Sequence, residues 1–328
     1  MRRRTGFLLA LGAALAMLLW PQQVMEAAQR GCALWAQAVM PGLLPFLVCL
    51  LYATGRMRLK AGRPCPATGL SRTGRSVLLM GLITGSPGGA RLMAEAASRG
   101  LLTARDGVRL AIYGGAMSPM FLMGTLPLWL QWPQAGLRLL AAHWIGVLCA
   151  GEISRLFPAK ALPSPQGGLP PPMTLPRAIE GACRALMTVC GAMVMGCVAA
   201  QMAQMAFPHL PPLAAALLQC MLEVTAGCQA LIAHGAPPWF LAGAVSLGGL
   251  SLLLQNMAFY PRGWFHLGWV MLGRGLACLI SLGVGWLLFW GEATPVFSPG
   301  PLPLADPSLL WLVAYFVLCL IPLAVRAK

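Results

Sequence analysis

Residues 81–95 read GLITGSPGGARLMAE. An apolar run is interrupted by Gly85, Ser86, Pro87, Gly88 and Gly89, then resumes carrying Arg91 and Glu95. In a water-soluble domain such a break would simply end a helix. The rest of the chain excludes that setting. Of 328 residues, 58% are hydrophobic and 9% charged, against roughly 25% charged in soluble domains. Apolar stretches close to the ~20 residues that cross a bilayer recur from end to end. The short alternating strands of a membrane barrel are absent. The sequence reads as an all-α polytopic membrane protein, and the break must be explained inside a bilayer.

The basic residues give the topology. The net charge of +15 is carried between apolar segments, which is the positive-inside pattern of a chain whose partner is the lipid bilayer and not nucleic acid. Arg2, Arg3 and Arg4 place the N-terminus in the cytoplasm, ahead of a signal-anchor span over 6–20. Residues 31–55 return to a loop holding Arg56, Arg58, Lys60, Arg63, Arg72 and Arg75. After 77–97 comes a second basic stretch with Arg99, Arg105 and Arg109. Both flanks of 77–97 therefore belong to the cytoplasm, so the segment enters the membrane, turns at GSPGG and comes back. Glycines allow close backbone approach there and proline ends the incoming arm. Such a loop is tolerated only inside protein or beside a watery cavity.

Residues 110–130 and 137–157 then cross out and back, ahead of the Pro/Gly-rich stretch PAKALPSPQGGLPPPMTLP, a cytoplasmic linker. Residues 185–207 cross outward. Residues 213–234 and 239–258 together bring the chain back to Arg262, so one of them is re-entrant, taken here as 213–234. Residues 264–290 go out, and 309–325 bring the C-terminus to the cytoplasm. The expected architecture is about eight transmembrane helices plus two re-entrant hairpins. Its units are residues 1–30 (signal-anchor), 31–157 (first repeat), 158–180 (linker), 181–290 (second repeat) and 291–328 (exterior loop and last helix). Each repeat has the order span, hairpin, broken span, span, entering from opposite sides. That is an inverted-topology repeat, whose ligand sites lie at discontinuous helices near the midplane. GGAMS at 114–118 and LGGLS at 247–251 place Gly and Ser alike in the third element of each repeat.

The strings MPGLLPFLVCLLYATG, SPGGARLMAEAASRGLLTARDGVRLAIYGGAMSPMFLMGTL, LEVTAGCQAL and GGLSLLLQNM resemble the YlbJ-type sporulation integral membrane proteins of the nucleoside-recognition, or Gate, superfamily. The resemblance covers about residues 36–290. The turn here is GSPGGAR where members commonly carry an aromatic, and GGAMSPMF stands where members have an Asn-Ser-Gly stretch. The resemblance implies two Gate repeats in a bacterial inner membrane, in the setting of spore formation.

Glu223, in the apolar stretch LQCMLEVTAGCQAL, is the most informative single residue, because an ionisable group at depth is functional by default. Two roles stay open: a ligand or ion site, or an ion pair with Arg274, which lies about 18 Å along a helix from Arg262. Ser86, Ser118, Thr225, Ser251, Gln255 and Asn256 supply hydroxyl and amide contacts for a ligand, or hydrogen bonds between helices. Gly88 and Gly89 complete the candidate turn. Arg91 and Glu95, one turn apart, read as a local pair. His143, His209, His234 and His266 sit near segment ends as interfacial residues, and the eleven cysteines form no CxxC pair. No metal site, cofactor, phosphate loop or HExxH helix is expected, and Ser251 with His266 has no orienting motif for catalysis. The chain is expected not to be an enzyme. It reads as a secondary transporter or channel-like protein for a small molecule or ion, compatible with homo-oligomers. The alternative is a non-transporting scaffold or morphogenetic factor of spore envelope (cortex) formation.

Overall fold

The computed structural model describes residues 2–56, 69–156, 173–260 and 267–292. The linker core, Arg58, Lys60, Arg63, Arg262, His266 (and with it the Ser251–His266 pairing) and the last span over 309–325 lie outside the described residues. Their regular structure is all helical, with no strand among the described residues.

Helix α1 (Arg2–Leu19) is followed without a loop by α2 (Pro21–Leu34), a π turn (Trp35–Val39) and α3 (Met40–Thr54). Then come α4 (Arg72–Thr84) and α5 (Gly88–Ser98), α6 (Ala104–Tyr113), a second π turn (Phe121–Thr125) with α7 (Leu126–Leu130), and α8 (Ala135–Ile153). The second half holds α9 (Leu175–Ala206), α10 (Pro212–Leu222), α11 (Val224–Ala233), α12 (Pro238–Leu247), α13 (Leu250–Met257) and α14 (Leu267–Leu288).

Local chemistry fixes several of these ends. Ser71 caps α4 by accepting from Gly74 N–H at 2.9 Å. Thr103 and Asp106 form a reciprocal capping box at α6. The Asp106 carboxylate also accepts from Ser71 N–H at 2.9 Å, so one buried carboxylate ties the starts of α4 and α6. Gly85 ends α4 at φ 63°, a conformation costly for any residue with a Cβ. Gly248 does the same for α12 at φ 69°.

Among the described residues five segments are long and apolar enough to cross a bilayer: Pro21–Thr54, Ala135–Leu156, Leu175–Ala206, Pro238–Met257 and Leu267–Leu288. Of the eight spans expected, 309–325 lies outside the described residues, and 6–20 and 110–130 are not among the five. Helix α1 is apolar only over Ala10–Leu19. The stretch 110–130 is cut into α6 and α7, and the span expected at 31–55 begins ten residues earlier. There, the polar run PQQVMEAAQR is not a connector: it is helical because α2 packs along α9. The Pro238–Met257 segment is itself interrupted at Gly248–Gly249, where α12 gives way to α13.

Among the packed pairs, α8 lies against α14 and α12 against both, while α2 and α3 lie along α9. In a bilayer, helices gain little from removing apolar surface from lipid, so contact depends on close fit of small residues. The fit is visible at Gly89, whose missing Cβ would lie 3.0 Å from Gly81 Cα. At Gly146 it would lie 2.7 Å from the Ala277 carbonyl. Either substitution would force α4 from α5, or α8 from α14.

Candidate functional site

Four interruptions of helix converge: Gly85–Pro87 between α4 and α5, Gly114–Ser118 after α6, Glu223 between α10 and α11, and Gly248–Gly249 after α12. Between them lies a cavity of about 50 Å³. Ser86, Ser118, Glu223, Thr225, Ser251 and Gln255 all line it, so residues separated by up to 169 positions in the chain share one surface. Both π turns also face it, through Ala38, Val39, Phe121 and Thr125. Thr125 Oγ1 reaches the Ala38 carbonyl at 3.5 Å, joining the two turns. Helical π bulges gather at functional sites, yet no residue pattern in GCALWAQAV announced this one. Thr125, a single hydroxyl in FLMGTLPLWL, was the available signal for the other.

At the first tip, Ser86 N–H donates to the Ala116 carbonyl at 2.8 Å, which seats the tip on the break after α6. The Ser86 hydroxyl donates to Asn256 Oδ1 at 2.5 Å and accepts from Gln255 Nε2 at 3.2 Å. Asn256 then donates to the Gly114 carbonyl at 3.2 Å. Asn256 is buried on α13 and holds the tip to the break after α6.

At the second tip, Glu223 is 1% exposed and caps α11, one oxygen accepting from Ala226 N–H at 2.5 Å. Its other oxygen accepts from the Ser251 hydroxyl at 3.4 Å. A carboxylate at a helix N-terminus is stabilised by the free N–H groups and the helix dipole. Here that stabilisation is combined with a view of the cavity.

The ion pair between Glu223 and Arg274 is not formed. The two side chains serve opposite sides of the second break. Gly249 lies against Val224 N beside Glu223, whereas Arg274 Nη1 donates to the Gly248 carbonyl at 3.0 Å. The Arg274 guanidinium also lies against Gly115, where a Cβ would be 2.5 Å from Nη2. Gly115 and Gly248 each precede the break serine by three residues. One buried arginine therefore touches a glycine at the C-terminal end of α6 and another at that of α12. Among the described residues it has no carboxylate partner. The two helix C-termini, with their unsatisfied carbonyls, supply the negative end it needs.

His143 is likewise not interfacial but fully buried on α8, because the broken chain needs an acceptor at this depth. Its Nε2 accepts from Met117 N–H at 2.9 Å, so Nδ1 carries the proton and lies 2.8 Å from Ser246 Oγ. Ser246 Oγ is 2.7 Å from Ser281 Oγ, so α8, α12 and α14 meet in one polar cluster. His209 and His234 are exposed.

Other candidates stand apart from the cavity. Arg91 does not pair with Glu95: its guanidinium donates to the Gly181 carbonyl of α9 at 2.8 Å, and Glu95 takes Arg99 one turn on, at 2.5 Å. A glutamate N-terminal to its basic partner is the better order on a helix. Gly88 and Gly89 pack against Thr84, Leu47 and Gly81, holding α5 on α4 without facing the cavity.

One carboxylate with hydroxyls and an amide makes an oxygen donor set, suited to a hydrogen-bonding solute or a hard cation. No cluster of three His, Cys, Asp or Glu residues occurs among the described residues. The volume accommodates a few waters, well below the ~300 Å³ of sites for drug-sized ligands.

No protein-family profile matches the chain, and no solved structure matches it. The chain is 31% identical over 147 residues to the sporulation integral membrane protein YlbJ of Bacillus subtilis (strain 168). Over that stretch the relationship is of YlbJ type. The matched part is 43% of this chain and 36% of the YlbJ protein, so the chain spans about a third of that relative's length. The apolar helices and the membrane-integral YlbJ relative together make this a multi-pass membrane protein.

Proposed function

We propose that the chain is an inner-membrane secondary transporter or channel-like protein for a small solute or ion, with the central cavity as its site and both termini cytoplasmic. On this reading α4–α5 and α10–α11 are re-entrant hairpins of two inverted Gate-like repeats. The observation that carries it is the meeting of two hairpin tips and two helix breaks around the buried Glu223 carboxylate. Unwound backbone inside a membrane protein belongs beside a cavity, and transporters place their sites at such breaks. The oxygen groups bind and orient the solute, and no covalent chemistry is assigned to them.

The test is uptake by proteoliposomes of radiolabelled uridine and sodium, with a trapped pH dye reporting protons. Wild-type protein is expected to move at least one of the three, and Glu223→Gln to abolish that flux while remaining folded. A second reading, a non-transporting scaffold of the spore envelope, draws on the sporulation role in the relative's name. Its signature would be Glu223→Gln protein that supports sporulation fully, with no flux in any of the three assays.

A further inference from the structure

A second and larger cavity, of about 340 Å³, opens at the base of the α10–α11 pair. Its polar lining is Gln204 near the end of α9, Gln219 on α10 and His234 after α11, with Phe207 as a wall. Gln204 Nε2 reaches the Ala215 carbonyl at 3.5 Å, long for a hydrogen bond. Lipid cannot satisfy two amides and an imidazole, whereas water can.

The inner end of this cavity approaches Glu223. Gln219 stands one turn before Glu223 on α10, about 6 Å along the axis, and its carbonyl accepts from Glu223 N–H at 2.6 Å. The residues along this line on α9 and α10 that are buried are small and closely packed. Gly196 of α9 abuts the Glu223 side chain, where an added Cβ would be 2.9 Å from Glu223 Cβ. Ala200 follows one turn on, buried, and Gln204 one turn beyond that, in the cavity wall. Residues four apart share a helix face, so one seam between α9 and α10 runs from the cavity to the carboxylate. Ala216 and Cys220 are buried on its α10 side.

We propose that this cavity is an aqueous antechamber, the route by which water and a small cation, the proton included, reach Glu223 from the face bearing residues 207–211. Among the described residues no Lys or Arg lines it. A carboxylate behind a low-dielectric cleft projects its field along the cleft and favours cations there. The inference rests on Glu223 being the functional carboxylate of the central cavity, but its test does not depend on transport.

Gln219→Cys, with the native cysteines kept, is exposed in intact cells to impermeant methanethiosulfonates bearing a trimethylammonium or a sulfonate, and modification is read by site-resolved mass spectrometry. Only a hydrated thiol forms the reactive thiolate. Position 219 is expected to react roughly tenfold or more faster than Met221→Cys on the exposed face of the same helix. The cationic reagent should lead the anionic one by on the order of tenfold, a lead that vanishes in Gln219→Cys/Glu223→Gln. Leu210→Cys reports which side of the membrane the 207–211 face occupies, and inside-out vesicles repeat the series if it is the other one. Modification at 210 with none at 219 would overturn the route, and equal rates for both reagents would overturn its assignment to Glu223. Loss of flux without these labelling changes, or the reverse, separates failure of the transport reading from failure of the antechamber.

Discussion

Where the chain breaks after α6 it leaves the Met117 N–H without a helical partner, and His143 of α8 accepts it. Where it breaks after α12 it leaves the Gly248 carbonyl, and Arg274 of α14 donates to it. Each latch sits well inside a long helix, α8 or α14. The two breaks are thus held by the same kind of device with opposite polarity, an acceptor in one and a donor in the other. The tips differ in the same way. Ser86 at the first tip borrows Gln255 and Asn256 from α13, while Glu223 at the second tip caps its own helix. Counting from the break serines, Leu122 and Met123 stand where Gln255 and Asn256 do. The buried amides that hold the first tip therefore come from the second half of the chain.

The strongest way to break this comparison is Arg274→Leu. It leaves the Gly248 carbonyl orphaned at a cost of about 1–3 kcal/mol and removes the bridge between the two α-helix ends. The expected outcome is a clear fall in melting temperature and in membrane abundance. Arg274→Lys should recover part of the loss, since one donor and the charge remain. Wild-type melting of Arg274→Leu would mean that the second break needs no latch.

Somewhat smaller is the effect of His143→Ala, which orphans one buried N–H, again about 1–3 kcal/mol, and leaves the Arg274 latch in place. His143→Gln retains an acceptor near the Nε2 position and should melt closer to wild type. If the Gln and Ala variants melt alike, the histidine acts by packing and the two latches are not counterparts.

The third test separates tip from latch. Because Glu223 and Arg274 share no hydrogen bond, Glu223→Gln and Arg274→Gln should add in the double variant to within about 0.5 kcal/mol. Rescue of one by the other would restore the ion pair that the structure lacks, since breaking one side of a buried pair is worse than removing both.

The smallest effect belongs to Arg138–Glu292, a partly exposed pair at 2.7 Å that lies away from both breaks. The Arg138 hydrogen bond holds the Glu292 carboxyl below the usual carboxylate range. Whatever the pair contributes is present above that range and lost as pH falls through the lowered value. Glu292→Gln should shift melting at neutral pH by about 1 °C or less, and the variant and wild type should converge in acid. A larger shift would show that surface pairing rivals the buried latches.

The sequence by itself determined a helical membrane chain, because so few charges cannot cover a soluble surface. It also located the interruptions at GSPGG, GGAMS, Glu223 and LGGLS, since glycine, proline and a lone carboxylate disrupt apolar helix wherever they occur. From those it singled out six residues that line one cavity. Local periodicity could not say which polar groups would meet. Glu223 was open to Arg274 until folding put the two on opposite sides of Gly248–Gly249, and Arg91 was nearer to Glu95 in sequence than to the α9 carbonyl it binds. His143 and the π turns were silent because their role is to satisfy backbone groups freed elsewhere in the chain. Inside a membrane, each such group must find a partner within the protein. Which helix supplies that partner is a property of packing, and only the tertiary structure decides it.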